Sequence, residues 1–142
     1  MCSAVCGDVS VWDVLGMDQS GGGVRRSRRE VGQLGEDAAA EYLVGLGWAV
    51  VQRNWRCRYG ELDVIAVDGD ALVVVEVKTR TGSLYGDVAE AVTVAKYQRM
   101  RRLAGVWLRE QGRRWPVVRF DVVAVQIDSK DSVSISHLRG VF

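Results

Sequence analysis

Three charged residues in two neighbouring segments have the types and spacing needed for metal-dependent chemistry. Asp63 precedes a turn signal, and Glu76 and Lys78 follow it as a Glu-x-Lys sequence in a valine-rich segment. Alternate residues of a strand point to the same face, so Glu76 and Lys78 lie side by side, about 7 Å apart. Two neighbouring carboxylates in an apolar interior repel each other unless a cation compensates them, and oxygen ligands suit Mg²⁺ or Mn²⁺. We therefore predict that Asp63 and Glu76 bind a divalent metal ion.

Such a site suits hydrolysis of a phosphodiester bond. The metal would polarise the phosphodiester and help to generate hydroxide, while Lys78 would position the attacking water or stabilise the transition state. An Asp followed after about a dozen residues by Glu-x-Lys resembles the pattern of the nuclease superfamily named after its proline–aspartate, acid and lysine motif. The alternative interpretation is a structural Asp–Lys–Glu cluster at the edge of a sheet.

A hairpin has to bring these residues together. Asp68-Gly69 is a strong hairpin signal, and it separates two predicted strands, Glu61–Val67 and Ala71–Thr79. Folding at that turn places Asp63 within side-chain reach of Glu76 if the faces match, opposite the neighbourhood of Val74, Val75 and Glu76. The valines of the returning strand make it apolar on both faces, which is typical of a central strand covered on both sides.

The rest of the chain predicts helices around this hairpin. Apolar residues recur at helical spacing from Val31, and Gly45 and Gly47 close that helix. We predict a strand at 48–53, a loop at 54–60, a second helix at 92–111 whose inward face carries Tyr97, Met100, Ala104 and Trp107, and strands at 117–127 and 133–138. The prediction is an α/β domain over residues 31–142, with a mixed central sheet of about five strands flanked by helices. Residues 1–30, with glycines at 21–23 and an arginine cluster, are predicted to form a flexible tail, and the alternative is a basic arm that tracks phosphates.

The chain also resembles the YraN family of uncharacterised bacterial proteins from about Val31 onwards. The resemblance rests on Gly35-Glu36, Ala39, Tyr42-Leu43, Arg53-Asn54, Gly60-Glu61-Leu62-Asp63, Val75-Glu76-Val77-Lys78-Thr79-Arg80 and Lys96. That family is similar to archaeal Holliday junction resolvases and other nucleases with a restriction-endonuclease-like fold. The resemblance implies Asp63 and Glu76 as metal ligands, Lys78 as the catalytic lysine and Glu36 as an additional acid from the first helix. For Glu36 an exposed acid favoured by the helix dipole explains the residue equally well.

Basic residues flank the predicted site. They lie in three places: before the hairpin, where they are interleaved with Trp55 and Tyr59, at the end of the Glu-x-Lys strand, and near the start of the second helix. Basic groups with aromatics suit a phosphate backbone and an unstacked base, although a solvated helix face is the alternative. The predicted nucleic-acid contacts are Arg53, Arg56, Arg58, Arg80, Lys96 and Arg99. The expected partner is nucleic acid, in the first place DNA, and because resolvase-like nucleases often act as symmetric dimers, the resemblance also allows a homodimer.

Composition excludes several other classes. The 142 residues suffice for one domain, and a formal net charge of +1 means that only local clustering of charge can argue for nucleic acid. No apolar run approaches the roughly 18 residues of a membrane span. Three cysteines cannot all pair within the chain, which favours free thiols and a reducing, cytoplasmic compartment. His137 is the only histidine, and we interpret it as a packing or hydrogen-bonding residue rather than part of a catalytic triad.

These features predict a metal-dependent endonuclease that acts on DNA, branched DNA included. Two alternatives stay open: a non-catalytic nucleic-acid-binding module that has kept the nuclease fold, and a protein-interaction domain whose acids are structural. Salt-sensitive binding without cutting would indicate the first alternative, and absence of any nucleic-acid binding at low salt would indicate the second.

Overall fold

The computed structural model of the protein describes residues 25–82 and 92–141 and the backbone of residues 4–10. The elements in chain order are β1 (Ala4–Ser10), α1 (Arg28–Gly45), β2 (Ala49–Cys57), β3 (Gly60–Asp68), β4 (Ala71–Thr81), α2 (Val94–Gln111), β5 (Val117–Ile127) and β6 (Ser132–Leu138). The glycines at 21–23 and residues 83–91, which precede the predicted second helix, lie outside the described residues.

The strands form one mixed sheet with the order β1-β6-β5-β4-β3-β2. Strands β4 and β5 are parallel because α2 connects them, and all other neighbours are antiparallel. Buried residues of α1 pack on one face of the sheet, and those of α2 pack on the other. The predicted α/β architecture, a mixed sheet flanked by helices in a restriction-endonuclease-like arrangement, is confirmed. Of the helices in the described residues, none is long and apolar enough to span a membrane.

The N-terminal region differs from the predicted tail at two points. A capping box formed by Ser27 and Glu30 starts α1 at Arg28, because each side chain binds a backbone N–H of the other residue. Farther upstream, the backbone of β1 pairs antiparallel with β6 and adds a sixth strand to the five that the sequence indicates. No apolar alternation marks β1 in the sequence, so this pairing could not be predicted from periodicity.

The hairpin of β3 and β4 forms as predicted, with a different register. Gly69 and Asp70 make the turn, and Gly69 adopts a positive φ of 58° that suits glycine. Because the turn lies one residue later than expected, Val64 lies opposite Val75, and the next pair in this register is Asp63 opposite Glu76. This register therefore places the two carboxylate residues opposite each other on adjacent strands.

Strand β2 is longer than predicted. The predicted loop at 54–60 is wrong for its first four residues, because the strand continues to Cys57. Asn54 interrupts the alternation with a positive φ of 50°, so the two residues that flank it point to opposite faces. Arg53 bonds to Asp37 on α1, whereas Trp55 is buried in the cluster beneath α2. Trp55 is therefore a core residue and is not available to a nucleic acid.

A close approach of α1 to β4 depends on Gly35. A Cβ atom at this position would overlap the hydroxyl, Cβ and Cγ2 atoms of Thr79. Gly35 thereby lets the helix backbone lie directly against β4 and places Glu36, its neighbour, near the carboxyl end of that strand.

A buried polar network closes the α1 face near β5 and β6. Asp121 and His137 are fully buried, and the His137 Nε2 atom lies 2.8 Å from the Asp121 carboxylate. The Arg119 Nε–H also donates to Asp121, and the Tyr42 hydroxyl lies 3.1 Å from His137 Nδ1. Burial alone would raise the pKa of Asp121, but hydrogen bonds from His137, Arg119 and the Gly140 N–H hold that pKa below its ordinary value. The sequence-based interpretation of His137 as a hydrogen-bonding residue is confirmed, with Asp121 as the acidic partner that the sequence did not identify.

Candidate metal centre and basic surface

The candidate centre lies where β3 separates from β4. Regular pairing between the two strands ends at Val64 and Val75. Beyond this pair the Val77 N–H donates to the Asp63 carboxylate at 2.9 Å, so a side chain takes the place of the next backbone acceptor. Regular backbone pairing therefore gives way at Asp63 to a hydrogen bond between its side chain and the backbone of β4.

The charge at Asp63 is poorly compensated. The pKa of its carboxyl group is raised from 3.8 to about 7, first by burial and then by the negative charges of Glu76 and Glu36 and a hydrogen bond with Glu76, while the hydrogen bond from the Val77 N–H acts in the opposite direction. The two carboxyl groups that the sequence paired are thus in direct contact, and the raised pKa means that the Asp63 carboxyl group holds its proton more firmly than an ordinary aspartate does.

Glu76 has a cationic partner on the helix opposite. The Lys96 Nζ atom lies 2.6 Å from a Glu76 carboxylate oxygen, and both side chains are mostly buried, with 33% and 19% of their surfaces exposed. Thr93 caps the start of α2 by accepting from the Lys96 N–H, which fixes this residue in the first turn. The sequence indicated Lys96 as a nucleic-acid contact and missed its place beside Glu76, because the two residues belong to different elements joined by a crossover.

The other two predicted catalytic residues, Lys78 and Glu36, belong to the surroundings of Asp63 and Glu76. Lys78 shares the Glu76 face of β4 by alternation, and its side chain is exposed. Glu36 is partly buried on α1 and acts on Asp63 through its charge. Among the described residues, no three His, Cys, Asp or Glu side chains are grouped closely enough to hold a metal ion by themselves.

The donor set still fits a hard divalent cation. Asp63 and Glu76 offer carboxylate oxygens from adjacent strands, and a bound cation would oppose both causes of the raised Asp63 pKa, burial first and then the negative charges of Glu76 and Glu36. Mg²⁺ commonly binds through one or two carboxylates and fills its remaining positions with water and substrate phosphate. The predicted ligand pair is therefore compatible with Mg²⁺ or Mn²⁺ without a third carboxylate.

The six predicted nucleic-acid contacts divide into separate groups. Arg53 is held by Asp37 at 2.6 Å on the α1 side, and Lys96 is held by Glu76. Arg80 lines a hollow of about 580 Å³ beside the start of α1, together with Arg26 and Arg28. The structure brings only three of the six into one hollow of about 530 Å³, around Tyr59 and Gly60: Arg56, Arg58 and Arg99.

The mixed sheet covered by α1 and α2 places the chain among α/β proteins with a restriction-endonuclease-like fold. The profile of the "Uncharacterised protein family UPF0102" matches residues 35–125. A UPF0102 protein of Mycolicibacterium vanbaalenii is 57% identical over 115 residues, which covers 81% of this chain and 95% of that protein. A UPF0102 protein of Mycolicibacterium gilvum is 56% identical over 117 residues, which covers 81% of this chain and 95% of that protein. Another, from Rhodococcus jostii, is 55% identical over 112 residues, which covers 79% of this chain and 95% of that protein. The chain belongs to the UPF0102 family, and the resemblance to the YraN family is thereby confirmed.

Proposed function

We propose that this protein is a metal-dependent endonuclease that hydrolyses phosphodiester bonds in DNA. The observation that carries the proposal is the contact between the carboxyl groups of Asp63 and Glu76 at the opening of the β3–β4 hairpin. A structural role alone explains this contact poorly, because two adjacent acids in a partly buried site destabilise each other.

Each residue of the centre has a part in this proposal. Asp63 and Glu76 would hold Mg²⁺ or Mn²⁺, and the Val77 N–H fixes one Asp63 oxygen. A bound divalent ion supplies charge stabilisation at a phosphodiester group and lowers the pKa of water. The exposed Lys78 ammonium is free to orient the attacking water or to stabilise charge on a phosphate oxygen. Lys96 offsets the charge of Glu76, and Glu36 adds negative potential that favours a cation.

Cutting and metal binding by matched variants test the proposal. Labelled duplex, single-stranded and four-way-junction DNA are incubated with the wild-type protein and Mg²⁺ or Mn²⁺, and Mn²⁺ affinity is measured without DNA. We expect Asp63→Asn to abolish cutting and weaken Mn²⁺ binding. Asp70→Asn, which alters an exposed acid in the turn of the same hairpin, leaves both unchanged. Cutting that survives Asp63→Asn, or no cutting of any substrate by the Mn²⁺-loaded wild type, overturns the proposal.

A non-catalytic nucleic-acid-binding module is the second candidate. The Lys96–Glu76 ion pair favours it, because an ammonium group already neutralises one of the two carboxylates. In this case DNA binding falls steeply with salt and needs no metal, and Asp63→Asn leaves DNA affinity unchanged. Under either function we propose DNA as the partner and the cytoplasm as the compartment.

A further inference from the structure

Tyr59 is the centre of an exposed aromatic and cationic surface between the β2–β3 turn and α2. The Arg58 and Arg102 guanidinium carbons lie 4.7 Å and 4.4 Å from the centroid of its ring, and Arg58 also donates to the Tyr59 hydroxyl at 2.5 Å. The Tyr59 side chain is 41% exposed although it is large and aromatic. We name Tyr59, Arg58, Arg99 and Arg102 the Tyr59 platform.

The platform is held against the body of the domain. Gly60 has a φ of 145°, and a Cβ atom there would meet Leu103 and Arg99 of α2, so the turn lies directly on that helix. The hollow of about 530 Å³ described above and a second hollow of about 280 Å³ both border Tyr59 and Arg99. The ring therefore stands between two recesses instead of filling a core position.

The charge of the platform is largely uncompensated. Arg56 at its margin pairs with Glu61, but within the described part of the chain none of Arg58, Arg99 and Arg102 forms an ion pair. Arginines without acidic partners beside an exposed ring are a poor source of stability, since they repel one another. They suit an anionic, planar ligand.

We propose that the Tyr59 platform binds an unpaired base of single-stranded DNA, with Arg99 and Arg102 available to the adjoining phosphates. Aromatic rings and guanidinium planes both offer flat surfaces on which an unstacked base can lie. The bases of an intact duplex are already stacked on each other and present only their edges and the phosphates. The platform therefore favours single strands, flaps and frayed ends over continuous duplex.

The platform adjoins the candidate centre. Tyr59 lies in the turn directly before β3, and from the first residue of that strand, Gly60, to Asp63 the strand rises about 10 Å, or roughly three base-pair steps of DNA. On α2, Arg99 lies one turn after Lys96, the partner of Glu76. The inference rests on the proposed function for its DNA partner, and it adds that an unpaired nucleotide a few positions from the cut directs the substrate.

Equilibrium binding in EDTA tests the platform without any cutting. Fluorescence anisotropy compares a labelled 20-nucleotide oligo-dT with a blunt 20-base-pair duplex. We expect the wild type to bind the single strand more tightly. Tyr59→Leu should weaken single-strand binding about tenfold, the loss of one stacked base, and duplex binding less than twofold. Tyr59→Phe keeps the ring and the affinity. Arg102→Ala should weaken single-strand binding more than Arg109→Ala, an exposed arginine in the last turn of the same helix.

Photocrosslinking provides a measurement that needs no variant. An oligo-dT that contains 5-iododeoxyuridine should crosslink to Tyr59 of the wild-type chain, as mapped by mass spectrometry. Crosslinks confined to other segments, or a Tyr59→Leu protein that loses both ligands equally or neither, overturn the inference. If Tyr59-dependent single-strand binding persists while no metal supports cutting, the proposed nuclease function fails and the platform stands. If cutting occurs but neither cutting nor single-strand binding depends on Tyr59, the nuclease function stands and the platform fails.

Discussion

The Lys96 ammonium group lies 2.6 Å from the Glu76 carboxylate, whereas the lysine of the Glu-x-Lys sequence, Lys78, points into solvent. A cation from α2 therefore already occupies one side of the carboxyl pair. A divalent ion that binds Asp63 and Glu76 has to compete with this ammonium group. In the proposed metal site this competition would make metal affinity depend on Lys96, and it would leave Lys78 free for the substrate.

Removing the Lys96 charge should increase metal affinity. In Lys96→Met, Glu76 loses its competing partner, so we expect Mn²⁺ to bind about twofold to fivefold more tightly, the range of a partly exposed ion pair. Electron paramagnetic resonance of free Mn²⁺ measures the change. Lys130→Met, which alters an exposed lysine far along the chain, serves as the control. Weaker Mn²⁺ binding in Lys96→Met would mean that Lys96 supports the metal site instead of competing for it.

Removing the Lys78 amine should lower the cutting rate and leave the free energy of unfolding almost unchanged. Because the side chain is exposed, Lys78→Ala should change the free energy of unfolding by less than about 0.5 kcal/mol. If this amine orients water or stabilises the transition state, the cutting rate should fall by about a hundredfold or more. Urea unfolding and single-turnover cleavage measure the two effects. An unchanged cutting rate would remove Lys78 from the proposed mechanism.

The stability of the metal-free protein should depend on pH through Asp63. Its pKa is about 7 in the folded protein against a reference value of 3.8, so the folded state retains the proton more strongly than the unfolded state. The stabilising contribution of the protonated form is complete below pH 4 and is lost as the pH rises through 7. Asp63→Asn keeps an acceptor for the Val77 N–H and carries no charge, so its melting temperature should exceed that of wild type at pH 8 in EDTA. The difference should shrink at pH 5, and Asp70→Asn should show no such trend. A difference that is independent of pH would contradict the raised pKa.

The buried Asp121 network should contribute strongly to stability. Asp121→Ala leaves the donors of Arg119, His137 and Gly140 without their acceptor in a buried site, and we expect a loss of about 3–5 kcal/mol of unfolding free energy. Asp131→Ala breaks a partly exposed pair with Arg26 and should cost about 1 kcal/mol or less. Urea titrations of both variants measure the contrast, and equal losses would argue against a special role for the network.

The contact between α1 and β4 should tolerate no side chain at Gly35. Gly35→Ala forces the helix away from Thr79 and should destabilise the protein by about 1–3 kcal/mol, and a second change, Thr79→Gly, should restore part of this loss. Gly32→Ala is the matched control, because a Cβ there meets nothing within 4 Å. Alanine has a higher helix propensity than glycine, so this variant should be slightly more stable than the wild type. Thermal unfolding of the three variants checks the order. A Gly35→Ala protein as stable as Gly32→Ala would show that the helix can shift freely.

The sequence determined the local elements of the candidate site. The valine-rich segment and the turn signal predicted the β3–β4 hairpin, since both depend on residues close together in the chain. Alternation on a single strand was enough to place Glu76 and Lys78 on one face. Helical spacing similarly identified the buried side of α2, where Met100, Ala104 and Trp107 lie in the core.

Only the tertiary structure decided the partners across elements. A one-residue shift in the turn set Asp63 level with Glu76, and a positive φ at Asn54 turned Arg53 and Trp55 to opposite faces of the sheet. The ion pair of Lys96 with Glu76 and the hydrogen bonds of Asp121 with His137 join residues from different strands and helices. Periodicity along one segment carries no information about which residues of other elements the packing of the sheet brings into contact. At the candidate centre, these residues determine the electrostatic surroundings of Asp63 and Glu76.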